Sequence, residues 1–507
     1  MRIVSTPLDS PIPALQPRPG GMAAAMLEAV VRAPGTEPLI ERLGDPTVLV
    51  VTTGQQPGLF TGPLYTVYKA LSAAALARRL ESAWRRPVVP LFWLAADDHD
   101  FEEARSASVL DTGGTVTTLS LPERPPDAPM LPMSRLPLGP EVEGLLAQLE
   151  TCLPESPFRG ETIAWLRRSY VPDATVGQAF GAAMAELLAP LGIACLDASH
   201  RAVKAAMAPL LLRSLVLAEE LDGLLASHAG VLERQGAPVP VPVGQGASLV
   251  FVEGPQGRDR LVIEPDGFGL RRSGTRYSVA DLERIAAQEV DRLSPNVLLR
   301  PVAESAILPT VGYVAGPGEL RYLAMCQPLY DRLEVPRQAP VPRWSGLVVE
   351  PRVDRVLAKF DAPLEELVQA GQALESRVVR SRMPGAMLEA GRRLRGVIEE
   401  EYQVILDAAV GVDPTLEQPV AKARQHALSE IAAIEKKVQG HLKKREATEL
   451  AQIARAREAV LPGGQPQERV LTVSSWLARA GPSFLADVAG QVDAWYGSAL
   501  AGDGPPS

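Results

Sequence analysis

PTVLVVTTGQQPGLFTGPLYTVYKALSAAALARRLESAWRRPVVPLFWLAADDHDFEE, residues 46–103, decides the architecture. Its first segment, PTVLVVTT (46–53), is a β-branched apolar run ending at a glycine, the pattern of a strand buried on both faces. After the loop, Leu64, Val67, Tyr68, Leu71 and Ala75 recur at helical spacing, which predicts a helix over 63–84. Thr61 is placed to cap that helix, and Pro63 suits a first helical turn. PVVPLFWLAA (87–96) predicts a second buried strand. Strand, helix and strand form a βαβ unit, so a doubly wound parallel sheet begins here.

Beyond this unit the rhythm breaks and then returns. PERPPDAPMLPMSRLPLGP (122–140) is a Pro-rich connection, VGQAFGAAMAELLAPL (176–191) a helix, and GIACLDA (192–198) another buried strand. Between 238 and 300, VPVG, SLVFVEGPQGRDRLVIEPDG and FGLRRSGTRYSV predict short strands with turns, a small α+β insertion. TVGYVAGPGELRYLAMCQPLYDRL (310–333) restores strand, glycine turn and helix. In 385–409, Leu388, Gly391, Leu394, Ile398, Tyr402, Ile405 and Ala409 step by three and four. In 414–460, Val420, Ala423, Ala427, Ile431, Ile434, Val438 and Leu442 do the same. Two long helices joined by a GVDP turn predict an antiparallel coiled-coil arm, whose apolar edge suits a partner chain or the protein's own body.

The expected division is therefore a first half of the core over 1–120, a connecting insertion over 121–190 and a core strand with helices over 191–235. A second insertion over 236–298 and the second half of the core over 299–350 follow. The arm spans 351–462, and a terminal segment over 463–507 docks on the core.

Composition limits the function. A net charge of −9 argues against a nucleic-acid partner, whose phosphates demand a basic stripe. No apolar run approaches the roughly 20 residues a bilayer span needs. The N-terminus, MRIVSTPLDSPIPALQPRPGG, lacks the basic and apolar pattern of a secretory signal, so a cytoplasmic location is expected. Cys152, Cys195 and Cys326 form no CxxC pair and read as buried apolar side chains.

Three loops carry candidate chemistry. In TGQQPGLFTGP (53–63), Gly54, Gly58 and Gly62 would let backbone approach a ligand, and Gln55 and Gln56 supply amides. Lys69, two turns into the helix, could reach a phosphate or carboxylate. The loop has neither the Walker A nor the GxGxxG spacing, and a purely structural turn explains the glycines equally well. In AADDHDFEE (95–103), Asp97, Asp98, His99 and Asp100 arrive just past a buried strand, where open α/β sheets bind ligands. His99 could act as a general base, and the aspartates could orient it or hold a divalent cation. Asp100 with Glu103 also has capping-box spacing. In VAGPGELRY (314–322), Gly316, Pro317, Gly318, Glu319 and Tyr322 repeat the strand-turn-helix arrangement. Glu319 suits either the helix dipole or a substrate amine. Arg300 and Arg343 flank this unit, and each could grip a carboxylate with two N–H groups.

TGQQPGLFTGPLYTVYK, PVVPLFWLAADDHDFEE, RPVAESAILPTVGYVAGPGELRY and the near-terminal QERVL, taken together, resemble the bacillithiol biosynthesis cysteine-adding enzyme (BshC) family over nearly the whole chain. The chain departs from that pattern at Pro57 (Ala in the family), Asp97 (Glu) and Glu304-Ser305 (Gln-Asp). The resemblance implies a Rossmann-like core of the nucleotidyltransferase kind with connecting insertions, and a coiled-coil arm that forms a homodimer. It implies a ligase that joins cysteine to the amine of glucosaminyl-malate. On that reading Gly54, Gln55, Gln56, Gly58, Thr61 and Gly62 line the cosubstrate or malate pocket, and Asp98 and His99 handle the attacking amine or orient the sugar. Gly316, Gly318 and Glu319 close the opposite wall. An amide forms only from an activated carboxyl, and the related core suggests an adenylate route; a nucleotide, ATP or ADP, and a divalent metal are both compatible with these loops. The rival expectations are an adenylate-forming ligase or nucleotidyltransferase with another acceptor, and a non-catalytic dimeric nucleotide-binding protein.

Overall fold

Five parallel strands form the central sheet of the computed structural model, which describes residues 1–6, 8, 10–369 and 371–501. In chain order the elements that matter are strand β1 (Leu49–Gln55), helix α1 (Tyr65–Trp84), β2 (Val88–Leu94), α2 (Val176–Leu188), β3 (Ala194–Asp197) and α3 (Arg201–Val216). Next come β4 (Ala247–Gly254), β5 (Gly257–Glu264), β6 (Gly267–Leu270), β7 (Arg276–Tyr277) and β8 (Leu293–Pro295). Helix α4 (Arg300–Ile307), β9 (Thr310–Ala315), α5 (Pro317–Met325) and β10 (Ala339–Pro342) complete the core. The central sheet runs β10-β9-β1-β2-β3, all parallel. The chain thus starts in the middle, builds outward to β3, and returns to the other side of β1. That reversal between β1 and β9 is a topological switch point, where open α/β sheets open a crevice at the carboxyl ends of their strands.

The strands behave as their sequences require. β2 is buried along its whole length, and β1 as far as Gly54. Gly54 is obligatory there, because a Cβ would stand 2.8 Å from the Trp93 carbonyl oxygen of the neighbouring strand. β10, APVP, was not visible as a strand; it tolerates two prolines because it lies at the sheet edge, where missing N–H donors cost nothing.

The second insertion carries an antiparallel sheet of order β7-β6-β5-β4-β8. The expected strand at VPVG (241–244) is absent. Pro240 and Pro242 cannot donate to a ladder, and the Gly244 and Gly246 N–H groups instead each donate to the Asp222 carboxylate at 2.8 Å.

From the terminal helix Ser483–Ala501 the Tyr496 hydroxyl donates to the Pro342 carbonyl at 2.7 Å. The expected Thr61 cap is not made. α1 begins at Tyr65, and the Thr61 hydroxyl donates to the Phe60 carbonyl.

The chain divides into two units: residues 3–348 with Pro466 onward, and residues 349–465 with 1–2. In the latter unit α6 (Gly385–Val412) and α7 (Glu417–Arg445) form the hairpin, and α8 (Ala447–Val460) is separate. The single helix expected over 414–460 breaks at Glu446. The hairpin covers only part of the apolar seam. Gly391 is buried opposite Ile431, but Leu394, Ile405 and Ile434 are 53%, 49% and 58% exposed. Among the described residues no helix is long and apolar enough to cross a membrane.

Candidate functional site

A cavity of about 550 Å³ opens at the carboxyl edge of the central sheet, at the switch point. β1 delivers Gly54, Gln55 and Gln56; β2 delivers Trp93, Ala95, Asp97 and Asp98; β9 and the turn after it deliver Tyr313, Gly316, Pro317, Gly318 and Glu319. Lys69 rises from α1, Arg300 from α4 and Tyr322 from α5, while Arg343 follows β10. Thirteen of the sequence-selected residues thus line one cavity: Gly54, Gln55, Gln56, Lys69, Asp97, Asp98, Arg300, Gly316, Pro317, Gly318, Glu319, Tyr322 and Arg343.

Five do not. Gly58, Thr61 and Gly62 sit behind the wall, where the turn is a structural device. Phe60, Thr61 and Gly62 all have positive φ (49°, 74° and 68°), a strained run for two non-glycine residues. Buried Tyr170 holds it: its hydroxyl accepts from the Thr61 N–H at 2.8 Å and donates to the Gly58 carbonyl at 3.0 Å. A Cβ on Gly58 would lie 3.0 Å from the Gly62 Cα, so these two glycines accommodate each other. Asp100 caps the short helix Phe101–Ala104, accepting from the Glu103 N–H at 3.2 Å.

His99 lies just off the wall. Its Nδ1 is 3.0 Å from an Arg258 N–H donor, so it serves as acceptor and the proton stays on Nε2. Burial first, then the Arg258 charge, pull its pKa below the usual value, and the ring is neutral at pH 7. An imidazole whose lone pair is occupied by a guanidinium is a poor general base.

Asp97 and Asp98 take different roles. Lys204 on α3, 2% exposed, reaches Asp97 Oδ1 at 2.5 Å and donates to the Leu293 carbonyl at 2.8 Å. Asp97 therefore anchors the acidic loop to β8. Asp98 uses only Oδ1 locally, accepting from the His99 N–H at 2.6 Å and the Asp100 N–H at 3.1 Å. Its second oxygen has no bond among the described residues, which makes Asp98 the carboxylate of this loop available to a ligand.

The opposite wall is a buried charge network. Lys69 meets Glu319 at 2.7 Å and donates to the Gly54 carbonyl and, at 3.3 Å, to Gln55 Oε1. Burial lowers the Lys69 pKa against the pull of Glu319. Burial pushes the Glu319 carboxyl up, but Lys69, the Gly316 N–H at 2.8 Å and the Tyr313 hydroxyl at 2.7 Å outweigh it, and the net shift is downward. Glu319 thus serves both the helix terminus and Lys69. Arg300 grips Glu304 at 2.8 Å, and Glu304 also accepts from Thr52. Ser305 accepts from Arg18 at 3.0 Å, so both residues of the departing Glu304-Ser305 pair are tied into the interior.

Several cavity residues stand outside the three loops picked out by sequence. Phe251, Arg258, Arg260 and Asn296 come from the second insertion, and Tyr65 and Arg469 from the start of α1 and the QERVL segment. The alternation in GRDRLV (257–262) marked Arg258 and Arg260 as sharing one sheet face, and QERVL marked Arg469. Six cationic side chains (Lys69, Arg258, Arg260, Arg300, Arg343, Arg469) face three carboxylates (Asp97, Asp98, Glu319). No side-chain hydrogen bond or ion pair engages the Arg260 and Arg469 guanidinium groups among the described residues. Gln56 Nε2 and Arg343 Nε are buried donors lining the same cavity, without hydrogen-bond partners among the described residues. Such a surface suits an anionic ligand bearing several carboxylate or phosphoryl oxygens. Among the described residues no three His, Cys, Asp or Glu side chains converge as a metal site, and Asp97 is ion-paired with Lys204. The buried cysteines are inert, with burial pushing the Cys326 thiol up to about 12.

Sheet order and cavity together define a Rossmann-like α/β protein whose switch point opens a cavity lined by more cationic than anionic side chains. Its residues 24–344 match the family model described as "Bacillithiol biosynthesis BshC, N-terminal Rossmann-like domain", and residues 346–495 match "Bacillithiol biosynthesis BshC, C-terminal coiled-coil domain". The chain belongs to the BshC family of bacillithiol biosynthesis proteins. It is 29% identical over 470 residues to the "Putative cysteine ligase BshC" of Prosthecochloris aestuarii, covering 89% of this chain and 82% of that protein. It is 30% identical to the protein of the same name from Chlorobaculum tepidum, over 89% and 82% of the two chains. It is also 30% identical to that of Symbiobacterium thermophilum, over 92% and 87%.

Proposed function

We propose that this protein is a ligase that adds L-cysteine to the amine of glucosaminyl-malate, forming an amide. The observation that supports it best is the excess of cationic over anionic side chains in the cavity, with the Arg260 and Arg469 guanidiniums against aromatic rings but in no hydrogen bond or ion pair among the described residues. Malate supplies two carboxylates to such a wall, and the relatives are named for cysteine ligation. In the bond-forming step the acceptor amine attacks the activated cysteine carbonyl carbon. A C–N bond forms, the activating group leaves with its bonding electrons, and the amine proton passes to Asp98. The unpartnered donors Gln56 Nε2 and Arg343 Nε would hold oxygens that carry charge. A nucleotide, when bound, would supply the carboxyl activation. We assign the connecting roles to 121–190 and 236–298, the second of which lends Phe251, Arg258 and Arg260 to the wall. The cytoplasm, which keeps thiols reduced, suits a chain with three free cysteines. The test incubates purified protein with cysteine, glucosaminyl-malate and ATP and follows the new thiol by mass spectrometry. Pyrophosphate release with a different acid, and no cysteinyl product, would replace this reading with that of another adenylate-forming enzyme.

We also propose a homodimer through the arm. On α6, Leu394, Val397, Val404 and Ile405 leave an exposed apolar stripe at helical spacing, with Val404 64% exposed. A two-fold pairing would cover it with its own copy. Light scattering is expected to give about twice the 54.2 kDa of one chain. Val404→Glu with Ile405→Glu is expected to give the single-chain mass without a fall in melting temperature. A wild-type mass of one chain at micromolar concentration would end the dimer reading.

A further inference from the structure

A second, smaller cavity of about 260 Å³ adjoins the first, and the two share Tyr65 and Arg469 as walls. The Tyr65 hydroxyl accepts from Gln55 Nε2 at 3.0 Å, and its ring is flanked by the Arg343 and Arg469 guanidiniums at 5.6 and 5.7 Å. Burial pushes the Tyr65 pKa up to about 12, so this partition stays neutral. The hydroxyls lining the small cavity are already engaged. Ser106 bonds Ser120 at 2.8 Å, Ser108 bonds Thr118 at 2.8 Å, and Thr472 bonds Ser474 at 2.6 Å. That leaves two charged side chains, Glu103 and Arg469. Neither has an ion-pair partner among the described residues, and they do not pair with each other although they line the same cavity.

Both residues are exposed at the cavity rim, and opposite charges lining one cavity are what a zwitterion would bridge, its ammonium on the carboxylate and its carboxylate on the guanidinium. The volume falls just below the roughly 300–1,000 Å³ of pockets for drug-sized ligands, which suits a single small amino acid. We propose that this cavity seats the amino-acid substrate, with Glu103 recognising its α-ammonium and Arg469 its carboxylate. The assignment of cysteine as that amino acid rests on the ligase reading above. Arg469 then serves both cavities, holding the amino-acid carboxyl at the boundary with the acceptor site. Glu103 sets specificity, because it alone distinguishes an α-amino acid from a simple thiol acid.

The test is titration calorimetry of full-length protein with cysteine and with 3-mercaptopropionate, which lacks the amine, each with glucosaminyl-malate present. Glu103→Gln is expected to weaken cysteine binding about tenfold, as loss of an ion-paired hydrogen bond does, and to leave 3-mercaptopropionate unchanged. Wild-type cysteine affinity in Glu103→Gln, an equal loss for both ligands, or no cysteine binding by the wild type would each overturn the subsite. Ligation assays on the same samples separate the two readings. A wild type that binds cysteine through Glu103 yet forms no amide supports the amino-acid site and counts against the ligase reaction. A wild type that ligates with a cysteine KM untouched by Glu103→Gln keeps the reaction and removes the subsite.

Discussion

Asp98→Asn is expected to lower kcat for cysteine addition by about a hundredfold to ten-thousandfold, the usual cost of removing a positioned acid or base, with the melting temperature unchanged. The substitution preserves shape and an oxygen to accept the His99 and Asp100 N–H groups, so the loop keeps its conformation. What it removes is the second carboxylate oxygen's capacity to take the amine proton. His99→Ala is expected to cost much less. The Nδ1 lone pair already accepts from Arg258, and burial beside that guanidinium lowers the pKa of the ring. The acid limb of the kcat profile is therefore expected to lie at the same pH in His99→Ala as in wild type. An equal collapse in both variants would return the base role to His99, and full turnover by Asp98→Asn would take Asp98 out of the mechanism.

The difference between these neighbouring residues marks the limit of what the sequence disclosed. Buried strands announce themselves by composition, so β1, β2, β3 and β9 were legible from local runs, and with them the sheet edge that carries the site. The three loops were legible because polar residues follow apolar strands. Which polar residue faces the ligand was not legible, since that depends on partners distant in the chain. Asp97 is claimed by Lys204, more than a hundred residues away, and His99 by Arg258, also more than a hundred and fifty away. The glycines of 58–62 looked like a ligand cradle because the clamp that explains their strain, Tyr170, lies in an insertion with no periodic signal. Arg260 and Arg469 were missed for a simpler reason: on sequence alone an isolated arginine reads as solvated surface. β10 was missed because its prolines argue against a strand everywhere except at a sheet edge.

Arg343→Met is expected to destabilise the protein by about 3–5 kcal/mol, the cost of leaving a buried charge without its partner. Arg343 is 2% exposed and binds Glu468 with two N–H groups, at 3.0 and 2.5 Å. Glu468 is 6% exposed, and its remaining neighbour, the Ser345 hydroxyl at 2.7 Å, carries no charge. The pair joins the end of β10 to the terminal segment that brings Arg469 to the cavity, so its loss reaches the site as well as the fold. The double variant Arg343→Met, Glu468→Leu separates those effects. With no charge left buried, apolar packing of similar volume is expected to recover most of the stability, as replacement of whole buried pairs often does. Turnover is not expected to return, because the wall has lost the guanidinium whose Nε has no protein partner. Urea unfolding monitored by tryptophan fluorescence, read beside the ligation assay, distinguishes the cases. A single variant within about 1 kcal/mol of wild type would mean that water reaches Glu468 and that the pair has the small value of an exposed one. A double variant with wild-type turnover would show that Arg343 is a strut for the terminal segment and takes no part in holding the substrate.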